Sequence, residues 1–201
     1  SVPADGAFAA ARDMLDRIDE FAESDPAFLV KVETAADCRA AMAAGKTGVF
    51  AAVENGYAIG ESLANLEAFR RRGVRMMTLV HSRDTSWAAS CTGAAASGGG
   101  RGGLSAFGES VVREMNSLGI IVDVSHAAES AFWDALRVSE KPVVASHSCA
   151  HSLCASPRNL KDDQLRALAD SGGVVGVCFF PAFLSDEYRL GLDRECADIV
   201  A

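Results

Sequence analysis

No stretch of this chain approaches the roughly 18 to 20 successive apolar residues that cross a bilayer. Its start, SVPADGAFAAARDMLDRIDE, lacks the basic flank and apolar block of a signal peptide. No membrane span is therefore expected, and the reading is a cytoplasmic protein, or an exported one whose signal peptide is missing from this sequence. Basic charge is also scarce. The 19 Lys and Arg against 27 Asp and Glu give a formal net charge of -8, and the basic residues are scattered rather than clustered. Such a surface cannot neutralise a phosphate backbone, so nucleic acid is not an expected partner. Cysteine is too thinly spread for a disulfide scaffold: Cys38, Cys91, Cys149, Cys154, Cys178 and Cys196 are six in 201 residues, and they are expected as small core residues or free thiols.

What is present is the make-up of a globular protein, 49% hydrophobic and 23% charged, large enough for one substantial core and read as a single domain over residues 1–201. In residues 7–23, Phe8, Ala11, Leu15, Ile18 and Phe21 recur at three- and four-residue steps, which predicts one helix face. FLVKV reads as a strand, TAADCRAAMAAG as a helix capped by Thr34 and closed by Gly45, and GVFAAV as a buried strand. A unit of helix then strand recurs: LANLEAFRRRG before VRMMTLV, SAFGESVVREMNSLG before IIVDV, AESAFWDALRVSE before VVAS, and KDDQLRALADSGG before VVGVCFF. Unbroken apolar strands of this kind are buried on both faces, the mark of a parallel sheet covered by helices, so the fold class is α/β. The connection from Ser82 to Gly103, with CTGAAASGGGRGG, is too rich in Gly, Ser and Ala to pack as an element and reads as a lid or a disordered segment.

The reactive residues fall at one kind of place. GVFAAV stops at Glu54, VRMMTLV at His81, IIVDVS at His126 and VVAS at His147. Carboxyl ends of parallel strands share one face in a barrel, where such enzymes keep their chemistry, and an open doubly wound sheet would gather them similarly. Two neutral imidazoles with one carboxylate suit a catalytic zinc that keeps a position open for water. Cys149, His151 and Cys154 offer a rival, a closed zinc knuckle, without a convincing fourth ligand. Arg158, in the loop after His147, is either a fork for a substrate carboxylate or a surface arginine.

Four stretches, AAVENGYAIG, GVRMMTLVHSRDTSWA, GGLSAFGESVVREMNSLGIIVDVSH and PVVASHSCAHSLCASPRNLKDDQLRAL, taken in this order from about residue 47 to 180, resemble the membrane dipeptidase family of zinc metallopeptidases. The resemblance implies a TIM-like (β/α)8 barrel of the metallo-dependent hydrolase type with two zinc ions. It also implies hydrolysis of dipeptides, including some with a D-residue at the second position, by a hydroxide shared between the metals, and it suggests a homodimer. By the same resemblance Glu54 matches the carboxylate that bridges the zincs, and His126 and His147 match the histidines that hold one of them. His81 matches the histidine that steadies the oxyanion, and Arg158 the residue that grips the substrate carboxylate.

Two departures stand beside the match. The family's other zinc is held by a His-x-Asp pair on the first strand, and no His-x-Asp occurs here. None of Asp186, Asp193 or Asp198 lies in the motif of the family's proton-carrying aspartate. Asn55, where glycine is commonest in animal members, is a smaller change. With about six strands in 201 residues, against roughly 250 residues for a full barrel, the chain reads as a barrel lacking its first and last strands. Two other readings remain open from sequence: a binding module that has lost hydrolysis, and an amidohydrolase acting on a lactam or another amide.

Overall fold

The helix foreseen near the start forms as α1, Ala4–Ser24, which buries Leu15 and Ala22 and packs Phe8, Ala11 and Ile18 against the core. Phe21, expected on the same face, is 58% exposed. At about 100° per residue it lies roughly 120° round from Leu15, whereas Ala22 lies almost in line with it. The structure, a computed structural model, describes residues 4–94 and 102–191.

Strand β1 (Leu29–Lys31) leads into α2 (Ala35–Ala43). The Thr34 hydroxyl accepts from the Asp37 N–H while the Asp37 carboxylate accepts from the Thr34 N–H, a capping box that fixes where α2 starts. The run GVFAAV, expected as one strand, is divided between two sheets. Its first part, β2 (Thr47–Val49), pairs with β1, and its second, β3 (Ala52–Val53), pairs with β4 (Met76–Thr78). The ladder changes partner at the half-exposed Phe50: the Val49 carbonyl accepts from the Val32 N–H, and the Ala51 carbonyl from the Arg75 N–H. An apolar run signals burial but carries no record of which neighbour each residue will pair with.

Helices α3 (Leu63–Arg71), α4 (Ala106–Leu118), α5 (Glu129–Val138) and α6 (Asp162–Asp170) then alternate with β4, β5 (Ile121–Asp123), β6 (Val144–Ser148) and β7 (Val174–Val177). The strands β3 to β7 pair in parallel and in chain order. This is the wall of a β/α barrel, each strand beside the next with a helix in most crossovers. Among the described residues the wall is an arc, with β3 and β7 at its edges. Burial follows from that arrangement. Met77, Val122 and Ala145 are buried in the middle strands, whereas Val174 and Val177 of β7 are 64% and 62% exposed, contrary to the expectation of a strand covered on both faces. Among the described residues no helix is long and apolar enough to cross a membrane.

The segment after Ser82 also departs from expectation over its described part, because residues 82–94 pack. Trp87 is 1% exposed and its indole N–H donates to the Gly60 carbonyl at 3.0 Å; Asp84 accepts from the Ser90 N–H at 2.7 Å; and Ala88 and Ser90 bridge to Leu104 and Ala127. The glycine-rich remainder of CTGAAASGGGRGG, residues 95–101, lies outside the described residues. Trp87 fills the space under Gly56, where an added Cβ would stand 2.5 Å from the indole and 2.6 Å from the Leu79 carbonyl. Gly56→Ala should therefore lower the free energy of unfolding by about 1–3 kcal/mol, read as a lower urea midpoint; an unchanged midpoint would show that the indole shifts freely.

Candidate metal and substrate site

Strand register explains why distant histidines meet. Thr78 of β4 pairs with Asp123 of β5, which pairs with Val144 of β6. His81, His126 and His147 each follow by three residues, so they stand at the same height above the arc, on the carboxyl-end face. Glu54 follows Val53, whose partner is Met77, and it joins the group from β3. The backbone is bent to achieve this. His126 has φ +69° and Asn55 has φ +93°, a left-handed region that side chains other than glycine seldom adopt. Asn55 offsets part of the cost by accepting from the Tyr57 N–H, which accounts for asparagine at a position where glycine would be at ease.

One carboxylate oxygen lies at the centre of the cluster. Glu54 Oε1 is 3.6 Å from His81 Nε2, 3.4 Å from His126 Nε2 and 3.3 Å from His147 Nε2. The two nitrogens of His126 and His147 approach to 2.9 Å. Ligand atoms on a tetrahedral zinc with bonds near 2.0–2.1 Å are about 3.3 Å apart, so these separations fit a small divalent cation. Glu54, His81 and His126 offer ligand atoms within 4.8 Å of one another, and His147 closes the group through its contacts with Glu54 and His126. All four strand-end residues singled out in the sequence thus come together. The rival knuckle does not form: the Cys149 thiol donates to the Cys178 carbonyl and the Cys154 thiol to the Ala182 carbonyl. Cys38, Cys91, Cys149, Cys154 and Cys178 are free thiols, as expected, and Cys196 lies outside the described residues.

Burial, reinforced by the charges of Arg158, His81 and His147, lowers the His126 pKa to about 3 from an ordinary 6.5. A neutral imidazole is the form that binds a metal. The sign of the stability effect follows. Below pH 6.5 the unfolded chain takes up a proton at His126 that the folded chain refuses until about pH 3, so stability falls as pH falls through that window. In the metal-free protein, unfolding free energies at steps from pH 7 to 4 should decline more steeply for the parent than for His126→Asn. Parallel slopes would contradict the assignment.

Arg158 is 8% exposed. Its guanidinium donates to the His147 carbonyl at 3.2 Å and stacks 5.3 Å over the Phe183 ring, and burial, opposed by the neighbouring Cys91 thiol, lowers its pKa. The surface reading of this arginine is corrected: the loop after β6 folds it inward. No carboxylate pairs with it among the described residues, so a buried cation is left without an anion. Arg158 and His126 line one cavity of about 590 Å³ together with Cys91, Trp133, His151 and Lys161. Of these, Trp133 and Lys161 escaped the sequence reading, since nothing local distinguishes a cavity wall from a core residue, while His151 was weighed there as a knuckle ligand and Cys91 as a core or free thiol. Asp123, an acid inside an apolar run, also escaped it, although that misfit was itself a signal. Asp186 accepts from the Ala155 N–H and pairs with Arg189, away from this cluster, while Asp193 and Asp198 lie outside the described residues.

This constellation on the rim of a parallel barrel wall agrees with the sequence comparison, in which the profile of the membrane dipeptidase family, peptidase family M19, matches residues 2–199. The chain belongs to the membrane dipeptidase family. An uncharacterized protein in the pqqA 5' region of Klebsiella pneumoniae is 50% identical over 98 residues, which are 49% of this chain and 36% of that protein. The probable dipeptidase PvdM from Pseudomonas aeruginosa superposes with a TM-score of 0.81 at 30% identity, over 92% of this chain and 48% of its own. A metallo peptidase from Rhodobacter sphaeroides, solved with a phosphinate mimic of the dipeptide L-Ala-D-Ala, superposes with a TM-score of 0.71 at 34% identity, over 78% of this chain and 45% of its own. The chain spans about half the length of these structures, and the membrane dipeptidase barrel is the fold class to which its arc corresponds.

Proposed function

We propose that the protein acts in the zinc-dependent hydrolysis of dipeptides with a free terminal carboxylate, those with a C-terminal D-residue included. The observation that carries this reading is the single cavity shared by His126 of the ligand cluster and the buried Arg158, to which no carboxylate is paired among the described residues. Glu54, His126 and His147 would hold the zinc, whose Lewis acidity brings the pKa of water toward neutrality and polarises a carbonyl. Arg158 binds the substrate carboxylate through its planar fork, fixing the scissile bond at the cluster's edge. His81, 40% exposed and stacked 4.0 Å from the His126 ring, faces solvent beside Glu54 and steadies the oxyanion that develops there. Support for a dipeptide comes from the family and from the L-Ala-D-Ala mimic bound by the Rhodobacter sphaeroides peptidase. The zinc set proposed for this chain is Glu54, His126 and His147.

The reading is tested by assaying Ala-Ala and Ala-D-Ala with zinc, after chelation, and after zinc is restored. Turnover that disappears with the chelator and returns with zinc supports it. Retained dipeptide binding without turnover under all three conditions would favour a binding module instead.

A further inference from the structure

The hydrogen bonds behind His147 can be arranged in only one direction. Asp123 is 0% exposed and accepts four bonds from β4, β6 and the turn after β5: from the Thr78 hydroxyl at 2.7 Å, the Ser125 N–H at 3.0 Å, the Ser146 N–H at 2.9 Å and the Ser146 hydroxyl at 2.6 Å. Burial would raise the Asp123 pKa, but these bonds, led by those from Ser146, hold it below the ordinary carboxylate value. An ionised carboxylate only accepts, so the single proton of the Ser146 hydroxyl points to Asp123. The same oxygen lies 2.7 Å from His147 Nδ1. With its proton committed, it can meet that nitrogen only as an acceptor, which places the imidazole proton on Nδ1. Nε2 keeps its lone pair, 3.3 Å from Glu54 Oε1 and 2.9 Å from His126 Nε2.

We infer that Asp123 and Ser146 are positioning residues, a relay whose hydrogen-bond direction locks His147 in the tautomer that presents Nε2 to the cluster. The inference rests on the metal-binding reading above. No equivalent device serves His126, whose Nδ1 is buried without a hydrogen-bond partner among the described residues. The relay also ties the ligand to the fold, since the Ser125 hydroxyl accepts from the His147 N–H at 3.0 Å. Orienting partners of this kind commonly contribute 10–100-fold to metal affinity.

A purely structural role for Asp123, stitching β4 to β5 and β6, predicts something different, and three variants of the full chain separate the two. Ser146→Ala removes the relay and leaves the other three bonds to Asp123. Ser146→Thr restores the hydroxyl. Thr78→Val cuts a strand-stitching bond and spares the relay. Zinc affinity is read by competition with a chromophoric chelator, and the His147 tautomer by ring 15N shifts in the metal-free protein. Ser146→Ala should weaken zinc about 10–100-fold and let His147 populate both tautomers. Ser146→Thr should recover both properties, while Thr78→Val lowers the unfolding midpoint with zinc affinity unchanged. The relay is overturned if Ser146→Ala keeps parental affinity and the Nδ1–H tautomer, or if Thr78→Val weakens zinc as much as Ser146→Ala does. A parent chain that takes up no zinc would sink the metal site instead, and the 15N shifts would still decide the relay.

Discussion

Glu54→Gln is expected to lower kcat/KM for dipeptides by about 10³-fold or more, some 4 kcal/mol of transition-state stabilisation, with zinc content falling in step. Its Oε1 lies within 3.6 Å of all three histidine nitrogens. The amide keeps the shape and removes the charge that offsets a divalent ion. Folding should be unaffected, because the Glu54 side chain is 53% exposed and its ion-pair contacts are with the cluster histidines. Exposed substitutions of this kind usually change stability by no more than about 0.5 kcal/mol. Zinc per chain by atomic absorption, kcat/KM and a melting curve form the test. Full zinc with full turnover in the variant would remove Glu54 from the site.

Arg158→Lys should lower kcat/KM for Ala-Ala by roughly 10²-fold, or about 2.7 kcal/mol, and should hardly alter it for the dipeptide amide. Lysine keeps the charge and loses the planar fork that engages both carboxylate oxygens. Because Arg158 also supports the His147 carbonyl and stacks on Phe183, some loss common to both substrates is expected. The ratio between acid and amide isolates the carboxylate contact. An equal loss on both would make Arg158 a structural residue and withdraw it from substrate recognition.

Both predictions concern residues visible in the sequence, and the reason is the regularity of the fold. A parallel strand ends where its apolar run ends, so Glu54, His81, His126 and His147 marked themselves by position before any contact was known. Helix limits were legible where capping is local, as at Thr34 with Asp37. What failed depended on distant partners. GVFAAV divided between two sheets because its two halves meet different strands, and Val174 and Val177 stayed exposed because β7 has a neighbour on one side among the described residues. Phe21 was misplaced by a smaller error, counting recurrence without following the angle.

The sequence by itself determined the alternation of helix and strand, the family, and which side chains stand at strand ends, since each follows from short-range periodicity or an unbroken motif. Only the tertiary structure decided that three histidines three residues past paired positions close on one carboxylate oxygen. It alone buried Arg158 with no carboxylate paired to it among the described residues, and joined Asp123 through Ser146 to His147. Register, burial and the direction of a hydrogen bond are relations between segments far apart in the chain, and no local pattern of residues encodes them.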